Sequence, residues 1–345
     1  MELDVRKMRI LQAIIDDYIL TAAPVGSRAV SKRDDIGLSP ATIRNEMSDL
    51  EEMGYLEQPH TSAGRIPSDK AYRLYVNSIM HKARLTSDEI GFIQSHYARR
   101  ADEVDEVIKQ TARVLAGVTR YTSMVLSPRL HSVKLKYIHI VPVGECKALV
   151  IIVTDAGITR DSVIWIPPGV QQEALERISK LMTKRFENHR LEDITLSKLP
   201  EFAYEIVENK EFFDEMLRSL QRSMDAGGRS IELCGTTNIL NYPEYSDMGK
   251  ARNLLSAIES RDMLYRMLMD ATDVEFSIKI GAENAEESIR DCSVVTATYS
   301  VGDSAIGSFG VIGPTRMNYS KVLALMGFIG QSMRDVLTSM MEEER

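Results

Sequence analysis

The sequence predicts a multidomain α+β protein, with a winged helix-turn-helix at the N-terminus and a strand-rich body interrupted by a helical block. Three observations lead there. Residues 5–53 carry amphipathic helical stretches separated by Pro and Gly punctuation. A short polar finger, "YLEQPHTSAGRIP", follows them and precedes a further helix. Beyond residue 130, apolar runs of strand length lie on both sides of a helical stretch from about 168 to 226.

The first helix spans residues 5–20, because Met8, Leu11, Ile14, Ile15, Tyr18 and Ile19 recur at helical spacing. Pro24 and Gly26 stop it. Ser27 caps a short second helix, "SRAVSKR", and Gly37 breaks the chain again. Ser39 is a strong N-cap for the third helix, and Pro40 falls at its first position, where the missing N–H costs nothing. Ile43, Met47, Leu50 and Met53 share one face; Thr42, Arg44, Asn45, Ser48 and Asp49 form the other. Gly54 is expected as a left-handed C-cap. "YLEQ" and "RI" read as two short strands around the turn "PHTSAG". Pro67 ends the finger, and Ser68 caps a fourth helix through Tyr72, Tyr75, Val76 and Ile79.

This order is a helix-turn-helix followed by a wing, a shape that can lay its third helix in a DNA major groove. Thr42, Asn45 and Ser48 are then placed to bond base edges, and Arg44 to reach a guanine edge or a phosphate. Small finger residues permit close approach to the DNA backbone, with Arg65 at the tip entering the minor groove or holding a phosphate. The full set of expected DNA contacts is Ser27, Arg28, Lys32, Ser39, Ala41, Thr42, Arg44, Asn45, Ser48, His60, Thr61, Ser62 and Arg65. The competing reading is a plain three-helix unit whose polar face is only solvated.

Charge decides little by its total. The chain carries a net charge of -8, and residues 1–82 hold 11 Lys plus Arg against 12 Asp plus Glu. Placement matters more. Arg28, Lys32, Arg33, Arg44, Arg65, Lys70 and Arg73 all fall from the second helix to the fourth. So few cations give a single chain weak phosphate contact, and the DNA reading therefore calls for a dimer.

The body begins with one long helix from Ser87 to about residue 119, striped by Ile90, Ile93, Tyr97, Val104, Val107, Ile108, Leu115 and Val118. "VKLKYIHIVPV", "KALVIIVT" and "TRDSVIWIP" are strands; the middle one is continuously apolar and is expected to be central and buried. Two helical faces follow. One holds Leu175, Ile178, Leu181 and Met182, the other Phe212, Phe213, Met216 and Leu220. Each face either covers the local sheet or meets a second copy of the chain. "IELCGTTNIL" is a strand and turn, helices follow to about 272, and "VEFSIKIG", "CSVVTATYSV" and "SAIGSFGVIGPTRM" are three more strands. A helix from Tyr319 through Met340 closes the chain.

Several function classes find no support. Gly302, Gly307, Gly310 and Gly313 do not make a dinucleotide fingerprint, and neither a Walker A loop nor an HExxH occurs. The six His are scattered, and His139, on a strand, reads as a core histidine. "GTTN" has no His or acid beside it in sequence to make a nucleophile. We expect no catalytic residue, no metal and no cofactor. No apolar run reaches the ~18 residues of a membrane span, and the N-terminus does not read as a signal peptide. Cys146, Cys234 and Cys292 are far apart and read as buried thiols of a reducing cytoplasm.

"VGSRAVSK", "LSPATIRNEMSDLEEMGYLEQPHTSAGRIPSDKAYRLYV" and "GTTNIL" resemble the HrcA family of heat-inducible transcription repressors. The resemblance covers essentially the whole chain, and the stretch from Ser39 to Val76 is its most specific part. It implies a dimeric repressor on an inverted-repeat operator upstream of chaperone operons, released on heat shock and kept active by the GroE chaperonin. It also implies three parts: a winged helix over residues 1–82, a GAF-like domain over about 83–150 and 227–345, and an inserted dimerising segment over 151–226. The resemblance favours dimerisation as the task of the two helical faces. A second reading keeps the DNA-binding head and makes the GAF-like domain a receptor for a metabolite. A third makes the winged helix a protein-binding module.

Overall fold

A computed structural model describes residues 3–60, 63–81, 83–97, 104–128, 134–155, 159–190, 194, 218, 230–270, 275–301 and 304–343. The first 79 residues build helices α1 (Val5–Thr21), α2 (Ser27–Val30) and α3 (Pro40–Glu52), strands β1 (Leu56–Glu57) and β2 (Ile66–Pro67), and α4 (Asp69–Leu74), which runs into a π-helical turn over Tyr75–Ile79. Local chemistry sets each boundary. The Asp4 carboxylate caps α1 by accepting from Lys7 N. Ser39 Oγ accepts from Thr42 N at 3.1 Å and caps α3. Gly54, at φ 77°, closes α3: Gly54 N donates to Glu51 O and Tyr55 N to Leu50 O, each at 2.9 Å. Ile43, Met47 and Leu50 are buried, as the helical spacing predicts. They pack with Ile10, Leu11, Ile14 and Ile15 of α1 in one core.

The body starts with α5 (Ser87–Tyr97) and α6 (Val104–Thr119). These are not one helix. Tyr97 Oη lies 2.7 Å from Thr111 Oγ1, whereas a straight helix would hold those residues ~21 Å apart along its axis. The two halves instead fold against each other, because each carries an apolar stripe that must be covered.

Five antiparallel strands make the main sheet: β3 (Thr122–Leu126), β7 (Ile231–Cys234), β8 (Phe276–Ile280), β9 (Cys292–Val301) and β10 (Ser304–Pro314), in the order β7-β3-β10-β9-β8. Helices α8 (Met248–Glu259) and α9 (Arg261–Met269) share a core with β3 and β7 (Met124, Leu126, Ile231), and the closing helix α10 (Tyr319–Glu343) packs with α6 in the other core.

Between the neighbouring strands β3 and β7 the chain leaves the sheet and returns. Ser127 N donates to Ser230 O at 2.8 Å where it does so. Inside that excursion β4 (Leu135–Gly144), β5 (Lys147–Thr154) and β6 (Thr159–Trp165) form a separate three-stranded sheet, with α7 (Gln172–Phe186) packed against it. The expected division at residue 150 is therefore corrected: it cuts β5, and β4 sits in the separate sheet with β5. The other expected boundary, 226, lies outside the described residues.

Leu175, Ile178 and Met182 are buried in the core beneath this small sheet, and Leu181 is half-buried against it. The outer edge of β4 is closed by the same helix. Ile138 N donates to Thr183 Oγ1 and Ile140 N to Ser179 Oγ, at 3.0 and 2.9 Å. This face of α7 is thus filled from within one chain, which corrects its expected use as a dimer contact. Phe212, Phe213, Met216 and Leu220 lie outside the described residues.

The opposite face of the sheet carries its own apolar row. Val141, Leu149 and Val163 stand opposite one another across the three strands, with Trp165 beside Lys147. Val163 is 58% exposed and Trp165 52%. β5 is central, but Leu149 and Ile151 remain partly exposed, so it is not buried on both faces as expected. His139, opposite Ile151 on this face, is exposed rather than a core histidine. Cys146 and Cys234 are half-buried, and only Cys292 is fully buried.

Candidate nucleic-acid interface

The outward face of α3 is polar and continuous. Ser39, Ala41, Arg44, Asn45 and Ser48 are exposed there, opposite the buried Ile43, Met47 and Leu50. Thr42 is half-buried, and its hydroxyl lies 2.9 Å from Ser39 Oγ, so it is engaged in the cap. Arg28 and Lys32, on and just after α2, are exposed. Ser27 is 8% exposed and stands at the first position of α2, inside the fold rather than on this surface.

The hairpin is anchored at its base. Leu56 pairs with Pro67 and Glu57 with Ile66, and an additional bridge joins Val25 to Arg65. Val25 N donates to Arg65 O and Arg65 N to Val25 O, at 2.8 and 2.9 Å. Gly64 makes this approach feasible, because a Cβ there would collide with the Val25 carbonyl. Ala63 N donates to His60 O in the turn, and His60 is exposed; Thr61 and Ser62 lie outside the described residues.

Arg65 is therefore not the tip of the finger. It lies at the base, half-buried, and its Nε and Nη2 donate to Glu51 Oε2 at 2.8 and 2.7 Å. The expected place of this guanidinium at the tip is corrected on that ground. No local pattern signals the pairing, because the partners stand fourteen positions apart and meet only through the hairpin register.

Charge pairing sorts the remaining cations. Lys7 lies 2.7 Å from Glu46 and 2.9 Å from Asp49, and these carboxylates raise the pKa of its ammonium. Arg33 pairs with Asp17, and Arg73 with Glu283 of the body. Lys70 donates to Met53 O and sits over the Tyr55 ring. Arg28, Lys32 and Arg44 have no ion pair among the described residues. Arg9, on α1, is exposed and likewise has no ion pair among the described residues; from α2 to α4 the cations left over are Arg28, Lys32 and Arg44, which border the polar face of α3.

The "GTTN" turn is structural. Asn238 Nδ2 donates to Ala116 O and Tyr121 O at 3.3 and 3.1 Å, and Thr122 Oγ1 donates to Gly235 O. These bonds hold the end of α6 to the start of β3 and leave no group poised as a nucleophile.

Comparison with known proteins decides the family. A sequence model described as the HrcA protein C terminal domain matches residues 105–323. A heat-inducible transcription repressor HrcA of Ruminiclostridium cellulolyticum is 43% identical over 352 residues, covering 99% of each chain. The chain belongs to the HrcA family of heat-inducible transcription repressors. An HrcA repressor of Acetivibrio thermocellus is 42% identical, covering 97% of this chain and 96% of its own, and one of Alkaliphilus metalliredigens is 39% identical over 98% of both. The family's work is repression of transcription, not catalysis. A crystal structure of a protein described only as hypothetical shares the fold, with a TM-score of 0.66 at 22% identity, covering 98% of this HrcA-family chain and all of that one. Among the described residues no helix is long and apolar enough to cross a membrane.

Proposed function

We propose that the chain represses transcription as a cytoplasmic homodimer. In this reading residues 1–82 form a winged-helix head that reads an inverted-repeat operator, and the five-stranded body is GAF-like. The observation that carries the reading is the pairing pattern of the head. Its cations are neutralised by carboxylates or otherwise engaged from α2 to α4, save Arg28, Lys32 and Arg44, which border one exposed polar helix face. Ala41, Asn45 and Ser48 supply the small and hydrogen-bonding side chains that fit base edges, and Arg44 is placed for a guanine or a phosphate. Ser39 and Thr42 support the start of α3, Ser27 is buried at the first position of α2 without capping it, His60 lies on the wing, and Arg65 holds the wing to α3.

So few free cations give one head little affinity, so two heads are needed. The row of half-buried Val141 and Leu149 with exposed Val163 and Trp165 supplies a surface for pairing: it is apolar and separate from the head. The insert, in this reading, is the dimerising part. Modulation by the GroE chaperonin and release on heat shock follow from the family resemblance and complete the proposal.

The test is a titration of the purified chain against a duplex carrying the family's inverted repeat and against a scrambled duplex, at two salt concentrations. Tight, dimeric, salt-sensitive binding to the repeat alone is the expected result. Equal, weak binding to both, with chaperonin present as well as absent, would remove the operator-reading function.

A further inference from the structure

The head meets the body along a seam that engages two of its helices, α4 and α1, with the Tyr72 and Tyr319 rings meeting between them. The Asp69 carboxylate, in the first turn of α4, accepts from Ala282 N at 2.9 Å. Gly281 stands at φ 53°, and a Cβ there would fall on that carboxylate, so the loop is shaped to receive it. One turn along α4, Arg73 Nε donates to Glu283 Oε1 at 2.7 Å, its Nη2 also reaches Glu283, and Nη2 donates to Ile278 O on β8 at 2.6 Å. Glu283 is braced in turn by Ile280 N, 2.9 Å from its Oε2. Arg316, just after β10, donates to Ile19 O at 2.9 Å, in the last turn of α1, while Glu244 holds the rest of its guanidinium. Ile19 O is one of the carbonyls a helix leaves unsatisfied at its C-terminus, and a cation suits that end.

One contact would leave a hinge; polar contacts to two different helices of the head oppose rotation. The covalent connection alone would not do so. α4 gives way to a π-helical turn at Tyr75, and Met80, His81 and residues 83–86 form no helix or strand.

We propose that the Asp69–Arg73 contact with the Gly281–Glu283 loop, together with Arg316 on α1, fixes the angle of the reading head on the body and thereby sets the half-site spacing that a dimer accepts. This rests on the dimeric DNA reading above. Asp69, Arg73, Gly281, Glu283 and Arg316 are positioning residues: none lies on the exposed face of α3. In a symmetric dimer the separation of the two recognition helices must match the helical repeat of the DNA, so head angle translates directly into preferred spacing. Freely tethered heads would accept many spacings.

The experiment uses the full chain. An inverted repeat is first recovered by in vitro selection from random duplexes with the wild-type protein. Wild type, Glu283→Ala and Gly281→Ala are then titrated against that repeat with its spacer lengthened or shortened one base pair at a time, and against a single half-site. Wild type is expected to lose at least about tenfold in affinity when the spacer changes by about half a helical turn, some 5 base pairs. Both variants are expected to flatten the profile to within about threefold while single half-site affinity stays within about twofold of wild type. Either variant suffices if the other melts early. A spacing profile as steep in folded variants as in wild type would overturn the proposal. So would an equal loss on the half-site and on the full repeat, which would mark a general folding role. Failure of the selection to yield any repeat is a different result: it would remove the operator-reading function itself, and this inference with it.

Discussion

Glu51, in the last turn of α3, holds Arg65, at the base of the hairpin, through two hydrogen bonds to one carboxylate oxygen. α3 and the hairpin are thereby tied together, and a residue expected from sequence to contact DNA acts as a strut in the fold. Arg65→Ala and Glu51→Ala should accordingly behave alike. Each should lower head stability modestly, and their double-mutant cycle should show coupling of about 0.5–1 kcal/mol. Arg65→Ala should leave the salt dependence of DNA binding unchanged. A shallower salt slope would return Arg65 to the phosphate contacts.

Arg44 differs in being exposed and without an ion pair among the described residues. Arg44→Ala should leave the melting temperature unchanged and cost about 1–3 kcal/mol in operator binding, with relaxed base choice at one position. Competition with operators substituted at single positions measures both effects.

Gly64→Ala should be damaging although the residue is not buried. The added Cβ meets the Val25 carbonyl, so the Val25–Arg65 bridge must open, at about 1–3 kcal/mol of strain. Thermal melting reads the loss, and an unchanged melting temperature would show that the bridge is dispensable.

The tilted rings of Tyr72 and Tyr319 meet at the seam between head and body, with centroids 6.0 Å apart, but their hydroxyls differ. Tyr319 Oη bonds with Ser293 Oγ at 2.6 Å and Thr315 O at 2.5 Å, whereas the buried Tyr72 hydroxyl has no partner among the described residues. Tyr319→Phe should destabilise by about 1 kcal/mol or more, and Tyr72→Phe should be neutral or stabilising. Chemical denaturation of the two variants checks the contrast.

Acid should loosen the seam. Burial works against the charge of Glu283, but Arg73 and the Ile280 N–H outweigh it and hold its pKa below the ordinary carboxylate value of 4.5. A depressed carboxylate contributes stability that is complete above its unfolded pKa and is lost as pH falls through its folded one. Between neutral pH and values under 4.5, protease cleavage within residues 80–86 should accelerate in wild type. Glu283→Gln should be faster at neutral pH and show less of this dependence.

How much of this was legible in sequence varies with the range of the physics. The faces of α3, its Ser39 cap and its Gly54 terminus are local, and the helical period was enough to place them. The hairpin was legible as a turn between strands; the partner of Arg65 was not, because register decides it. The break between α5 and α6 left no local signal, since both halves carry good helical stripes and only packing bends the chain back. β5 misled in an instructive way. An apolar strand buried by its own chain and one awaiting a second surface have the same composition, so Leu149 and Ile151 read as interior. The contacts of Arg73 with Glu283 and of Arg316 with Ile19 join residues more than two hundred positions apart, and no periodicity could connect them.

The single Trp of the chain, Trp165, sits on the exposed row of the small sheet and so makes a built-in reporter. Dilution through a monomer–dimer equilibrium should shift its emission to the red as the row meets water, and Val163→Lys should give the red-shifted spectrum and a monomer in sedimentation at all concentrations. A blue-shifted spectrum independent of concentration, or a dimeric Val163→Lys, would move the contact elsewhere.

The hydrogen bond from Ser127 to Ser230 closes the excursion at its base. Where the chain departs from β3 and where it rejoins at β7 are neighbouring rungs of one ladder, within the ~5 Å that separates paired strands. A two-residue hairpin turn such as Asn-Gly spans that gap. The register of β3 against β7 is thus independent of the path the chain takes between them, and the small sheet is tied to the body by other means, its Arg160 bonding with Asp105 of α6.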